Sequence, residues 1–280
     1  MFNLNVDLFF LRTIFSKVSK MFENFFKKKK KSVGHGTHWD TAALEENPQR
    51  PLLEKLIMGS IKEGALVAEL PINISVGKFK LAVRERTFGE LIVTTIALGG
   101  TVFTGYPSIH SGSVSKAKIK EVNIWDNDIE AQVSANFSDA SFTFFPIDYA
   151  ANKNKYKSGN YLDICLTGMA YMLAVGNVAG SGLPGGMKFS EDFVGIFPAP
   201  ALYPGKGFEN DDYEAHGTVE EVNKVDFAGE KAFILKTRVI DDGNFKLAID
   251  IGALAKNIHG DTPKKGDKIT VKFWLCGKIV

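Results

Sequence analysis

The chain has 280 residues, 45% of them hydrophobic, and a formal net charge of +2, which gives it room for one large globular domain or two ordinary ones with a sizeable core. So even a charge balance excludes a chain that holds polyanions through its overall field. Its two cysteines, Cys165 and Cys276, make no disulfide framework and read as free thiols of a cytoplasmic chain.

Residues 1–35 form a Phe- and Lys-rich tail. Residues 1–31 carry eight Lys/Arg against Asp7 and Glu23, leaving 26 Lys/Arg against 30 Asp/Glu in the other 249. Asn3, Asp7, Arg12 and Lys17 interrupt the apolar stretch, so it lacks the ~20 uncharged residues of a spanning helix. Five lysines, Lys27 to Lys31, follow that stretch instead of preceding it, the reverse of a signal peptide. Phe9, Phe10, Ile14, Val18, Phe22 and Phe25 lie near one helical face, which would suit peripheral contact with an inner membrane surface. A solvated tail, with Met21 as a second start, is the competing and simpler reading.

Residues 36–77 are expected to be a helical segment leading into the first strands. Residues 32–40 read as a loop, and a short acidic helix, a Pro48/Pro51 break and a helix over 52–62 follow. Alternation then predicts strands over 65–70, 78–84, 91–97 and 101–104, punctuated by Pro71, Gly77, Gly89 and Gly99-Gly100.

The rest of the chain repeats itself. Lys157-Ser158-Gly159-Asn160 followed by Leu162, Ile164 and Leu166 matches Lys264-Lys265-Gly266-Asp267 followed by Ile269, Val271 and Phe273, about a hundred residues on. Further matches run in the same order: Phe88-Gly89-Glu90 with Phe189-Ser190-Glu191, Tyr106-Pro107 with Tyr203-Pro204, and Lys120-Glu121-Val122 with Glu220-Glu221-Val222. Ser141-Phe142 with Ile147-Asp148 likewise matches Asn244-Phe245 with Ile249-Asp250. A period of that length indicates duplicated domains and not a solenoid. The predicted order in each copy is three strands, a helical turn that Asp148 or Asp250 would cap, and a long last strand. Two tandem small barrel-like domains, OB-like in their short curved strands, are therefore expected: a first β repeat over 78–175 and a second over 176–280, which opens with a Gly/Pro-rich crossover.

Candidate chemistry is sparse. His35-Gly36-Thr37-His38-Trp39-Asp40 places two imidazoles and a carboxylate within six residues, and His35, His38 and Asp40 could supply three ligands to a divalent ion. On a Gly-containing loop beside a lysine run, both histidines are expected to be exposed and the chain to hold no metal or other cofactor. His110, His216 and His259 fall at predicted turns. The glycines of residues 180–186 lack the following Lys-Ser/Thr of a phosphate loop, and no nucleophile motif is present. Aromatic strand residues Phe142, Tyr161, Phe245 and Trp274 are candidates for a ligand or partner surface. Residues 78–175 carry ten Lys/Arg against nine Asp/Glu, a balance that disfavours nucleic acid. The expectation is a non-catalytic binding or protein-interaction module whose partner is another protein. A single-stranded nucleic-acid or oligosaccharide binder is the first alternative, and a metal-dependent enzyme using the His35/His38/Asp40 loop the second.

Overall fold

Period-2 alternation dominates the sequence, and in the computed structural model, which describes residues 38–42, 50–74, 77–98, 101–110, 112–176 and 193–280, the chain is mainly β. A 3-10 turn at His38–Thr41 precedes helix α1 (Arg50–Glu63). Strands β1 (Ala65–Ile74), β2 (Gly77–Phe88), β3 (Leu91–Leu98) and β4 (Thr101–Ile109) then form an antiparallel sheet in sequence order. The hairpins at Gly77 and Gly89 tie these strands to one another. Strands β2 to β4 therefore sit in one sheet with β1 instead of opening the first repeat at residue 78. α1 lies along β3, where Leu56 packs with Leu91 and Val93 and the Ser60 hydroxyl donates to the Val93 carbonyl.

Two runs of strands follow in matching order. The first is β5 (Val114–Ile124), β6 (Ala131–Phe137), β7 (Ala140–Pro146), helical turn α2 (Tyr149–Asn152) and β8 (Tyr161–Val175). After β9 (Gly195–Pro198) and helical turn α3 (Ala199–Leu202), the second comprises β10 (Asp212–Phe227), β11 (Glu230–Asp241), β12 (Lys246–Leu254), a 3-10 turn at Ala255–Asn257, β13 (Ile258–His259) and β14 (Lys268–Ile279).

The runs do not form tandem bodies. Their pairings close a ring of eight strands in the order β11, β12, β8, β5, β6, β7, β14, β10, and β8 and β14 also pair antiparallel with each other through the middle. Each long strand serves both halves. β8 pairs β5 through Tyr161 to Cys165 and then β12, in parallel, through Thr167 to Met169. β14 pairs β10 through Lys268 to Trp274 and then β7, in parallel, through Cys276 and Gly277. The arrangement has an approximate two-fold centred where Leu275 faces Gly168. A Cβ at Gly168 would come within 2.5 Å of the Phe273 ring, so glycine permits this crossing.

Two local motifs coincide under that two-fold. A bulge falls between Ile119 and Glu121 in β5 and between Val219 and Glu221 in β10, after which Val122 faces Val133 and Val222 faces Leu235. The backbone of Ile119 exchanges hydrogen bonds with Gly159 and Asn160, and that of Val219 does the same with Gly266 and Asp267. Gly159 and Gly266 have φ of +89° and +91°, a region that favours glycine. Val122/Val222 and Gly159/Gly266 thus occupy matching positions, as the sequence predicts. Other expected matches do not. Leu235 faces Ile251 and Val133 faces Phe144, so Asp250 corresponds to Thr143 and Ile249 to Phe142. The β11–β12 hairpin is the longer one, and this displaces Asp148 and Phe245 from the positions of Asp250 and Phe142. Neither Asp caps a helical turn through its side chain: Asp148 accepts from Tyr156, Asn152 and the Ile279 amide, and Asp250 from the Ser113 amide. Tyr106 lies in β4 whereas Tyr203 follows α3, and Phe189 lies outside the described residues.

The ring encloses one apolar core drawn from both halves, including Phe137, Phe144, Tyr213, Phe233, Val271 and Phe273. Outward-facing Trp274, Phe145, Ile147 and Cys276 pack with Ile92, Tyr106 and Trp125, so the β3–β4 hairpin covers the ring at its two-fold. No helix among the described residues is long and apolar enough to cross a membrane.

Candidate functional site

The most concentrated chemistry lies at that covered face. Asp211 and Asp212 stand at the start of β10, where the Leu275 amide donates to the Asp211 carbonyl and Asp212 faces Trp274. The Asp211 carboxylate accepts from Trp274 Nε1 at 3.0 Å and from Gln132 Nε2 at 2.7 Å. The Asp212 carboxylate accepts from the Tyr171 hydroxyl at 2.6 Å and from the Glu209 amide at 2.7 Å. His38 stacks on Trp274 with ring centroids 4.3 Å apart, and its Nε2 lies 3.9 Å from an Asp212 oxygen. Turn, hairpin and ring therefore meet at two adjacent carboxyls.

Removal from water disfavours the charged form of a carboxyl, and a neighbouring carboxyl adds to that. Burial, then Asp212, pushes Asp211 up to about 7; burial pushes Asp212 up to about 6 against the hydrogen bonds that favour its anion. Burial followed by these same carboxyls raises the Cys276 thiol. Asp211, Asp212, His38 and Trp274 are all at most 2% exposed, so the cluster can hold or release a proton but presents nothing to a large substrate.

Continuing along β10, Glu214 and His216 point away from the ring core where β9 pairs along the strand edge. His216 Nε2 lies 3.3 Å from Glu214, its Nδ1 lies 3.0 Å from the Thr270 hydroxyl, and Tyr203 donates to Glu214. Lys272 lies 3.9 Å from Glu214 and above the Tyr203 ring. His216 is thus a buried strand residue and not a turn residue.

The expected site residues separate. His35 lies outside the described residues. His38 is buried where the sequence predicts exposure, because an aromatic partner and a carboxylate receive its ring; Asp40 is half-buried on the same turn. Among the described residues no group of three or more His, Cys, Asp or Glu is placed to hold a metal ion. Trp274 and Phe142 are buried rather than on a surface, and Phe245 is half-buried against the ring core. Tyr161 is 65% exposed. Asp211 and Asp212 escape sequence reasoning because Glu209-Asn210-Asp211-Asp212 has the composition of a solvated turn. The one cue is that Tyr213 and Ala215 begin an alternation immediately after it.

Tyr161 belongs to a different surface. On β5, Ala117 and Ile119 point into the core while Lys116, Lys118 and Lys120 are exposed. Lys118 faces Tyr161 across the β5–β8 ladder, its Nζ 5.6 Å from the ring centroid. The Ser158 hydroxyl donates to the Lys120 carbonyl, which brings the exposed segment carrying Lys153, Lys155 and Lys157 to the end of this strip. Val114, at the other end, is 51% exposed. Six lysines and two exposed apolar side chains, with Asp163 opposite Lys116, thus share one region whose excess of lysine the near balance of charges over 78–175 conceals. Comparison with protein-family models, curated proteins and solved structures gives no match to this chain.

Proposed function

We propose that this chain is a non-catalytic protein-binding module, built from a duplicated β unit, that engages its partner through the exposed β5–β8 face of the first half. The supporting observation is the contrast between the two halves at positions related by the two-fold. Lys116, Lys118 and Lys120 of β5 correspond to His216, Thr218 and Glu220 of β10; the β10 edge is filled by β9, which pairs with it from Tyr213 to His216, and Tyr203 and Phe193 contact Glu214 and His216. One half is closed by its own chain and the other carries exposed lysines beside an exposed aromatic ring. Such a mixture of cation and aromatic suits a desolvated protein contact. Buried Cys165 and Cys276 fit a reducing cytoplasmic setting.

The test is affinity capture from the native cell with the wild-type chain and with a Lys118→Glu/Tyr161→Ala double variant. The variant should fold normally and lose the captured protein; retention of that protein at wild-type yield would remove this face as the binding site. A second reading rests on the same lysines and Tyr161, which could track a phosphate backbone and stack a base. It predicts binding to oligo(dT) that weakens steeply with salt.

A further inference from the structure

Resting on that reading, we infer that the binding face works by strand addition: the open edge of β5 at Val114–Ala117 receives an antiparallel extended segment of a protein partner, with an acidic residue opposite Lys116 and an aromatic one opposite Val114. The second half shows what fills this position. Residues Tyr213 to His216 of β10 pair with β14 on one edge and with β9 on the other. By the shared bulge, their counterparts are Ser113 to Lys116. Val114 to Ala117 pair with β8 on one edge, and among the described residues no strand pairs with the other, because β6 meets β5 only from Lys118 onward. Ser113 already donates its amide to Asp250, so the open stretch begins at Val114. Unpaired strand edges are where extended peptides add, with main-chain hydrogen bonds providing affinity and alternate side chains specificity.

The register of β9 defines the motif. Gly195 faces His216 and Phe197 faces Glu214, with β9 antiparallel to β10. Transferred by the two-fold, the residue in the place of Gly195 faces Lys116 and the residue in the place of Phe197 faces Val114. The first meets the lysine strip and is acidic; the second meets an exposed apolar side chain and is aromatic. The occupant therefore reads acid, any residue, aromatic. A basic segment is excluded by like charge against Lys116, Lys118 and Lys120.

The experiment uses the full chain and the peptide Glu-Val-Asp-Ile-Phe-Pro, which is residues 193–198 with the residues in place of Phe193 and Gly195 made acidic. Titration followed by fluorescence anisotropy should show saturable binding, and amide exchange should slow within residues 114–117. Lys116→Glu should weaken this peptide on the order of tenfold or more, and the charge-swapped peptide Lys-Val-Lys-Ile-Phe-Pro should bind Lys116→Glu better than wild type. No saturable binding, or binding without slowed exchange at 114–117, would overturn strand addition, as would oligo(dT) displacing the peptide and binding more tightly. The underlying reading fails separately: if Lys118→Glu/Tyr161→Ala still captures the cellular partner, the face itself is wrong. If that variant loses the partner while exchange at 114–117 stays unchanged with the wild-type complex, only the edge is wrong.

Discussion

Trp274 ties several parts of the structure together: it stacks on His38, packs on Phe145 and Tyr106, and donates to Asp211. Trp274→Ala removes a wholly buried aromatic and leaves Asp211 without one of its donors, so a loss of at least ~3–5 kcal/mol is expected in denaturant unfolding. A loss below about 1 kcal/mol would mean that the site collapses around the cavity. The acid pair sets a pH dependence. Unfolded, both carboxyls titrate near 4; folded, Asp211 titrates at about 7 and Asp212 at about 6. Between these limits the folded chain holds more protons than the unfolded one. Stability contributed by the pair is therefore full below about pH 4 and falls as pH rises to about 7. Melting should occur at a higher temperature at pH 5 than at pH 8. Burial also raises Glu85, Asp148 and Asp250, so Asp211→Asn is the control: Gln132 can turn its carbonyl to the new amide, Trp274 keeps its acceptor, and the pH slope should flatten. An equal slope in that variant would place the titration elsewhere. None of this was legible from composition, since three acids and an asparagine at the start of a strand read the same whether they are solvated or sealed by an indole and an imidazole.

Individual elements were much more readable, and the reason is local. The match of Leu162, Ile164 and Leu166 to Ile269, Val271 and Phe273 holds because these residues face one core and follow a turn whose glycine has positive φ. Gly159→Ala and Gly266→Ala should each cost on the order of 1 kcal/mol, and by similar amounts, because each strains the turn locked to a bulge; unfolding of both variants measures it. The matching fails at β7 and β12, where hairpins of unequal length shift the residues while leaving alternation intact. There Asp242 accepts from the Asn244 and Phe245 amides, a turn built by the inserted residues. At the other end, Trp39 donates to the Gly105 carbonyl and Asn257 to the Thr41 carbonyl, so His38–Thr41 is anchored in both sheets. A chain beginning at Ser32 should melt like the full one, and a chain beginning at Ala43 several degrees lower. A fall with the Ser32 start as well would mean that the Phe-rich residues before it contribute to the core.

For the molecule as a whole, the mainly β character and the similar order of the two strand runs were legible and their interlocking was not. Two similar segments can stand as tandem bodies or exchange their last strands across a two-fold, and alternation along each strand is the same in both. Strand length holds the difference: β8 and β14 are long enough to pair with one half over their first residues and the other half over their last. Removal of residues 268–280 should therefore unfold both halves together, seen as loss of protected amides from β6 as well as β11. Survival of β6 would show a first half that stands alone. The same sharing bears on how the chain is made. β14 comes last of the described strands and is a wall of both halves, so neither half is complete before β14 has been made. Until β14 emerges, the edges of β7 and β10 are both open and the core aromatics lack a wall, a period in which strand edges are prone to pair with other chains. Slowing synthesis, which helps tandem domains fold one after another, would only lengthen that exposure here.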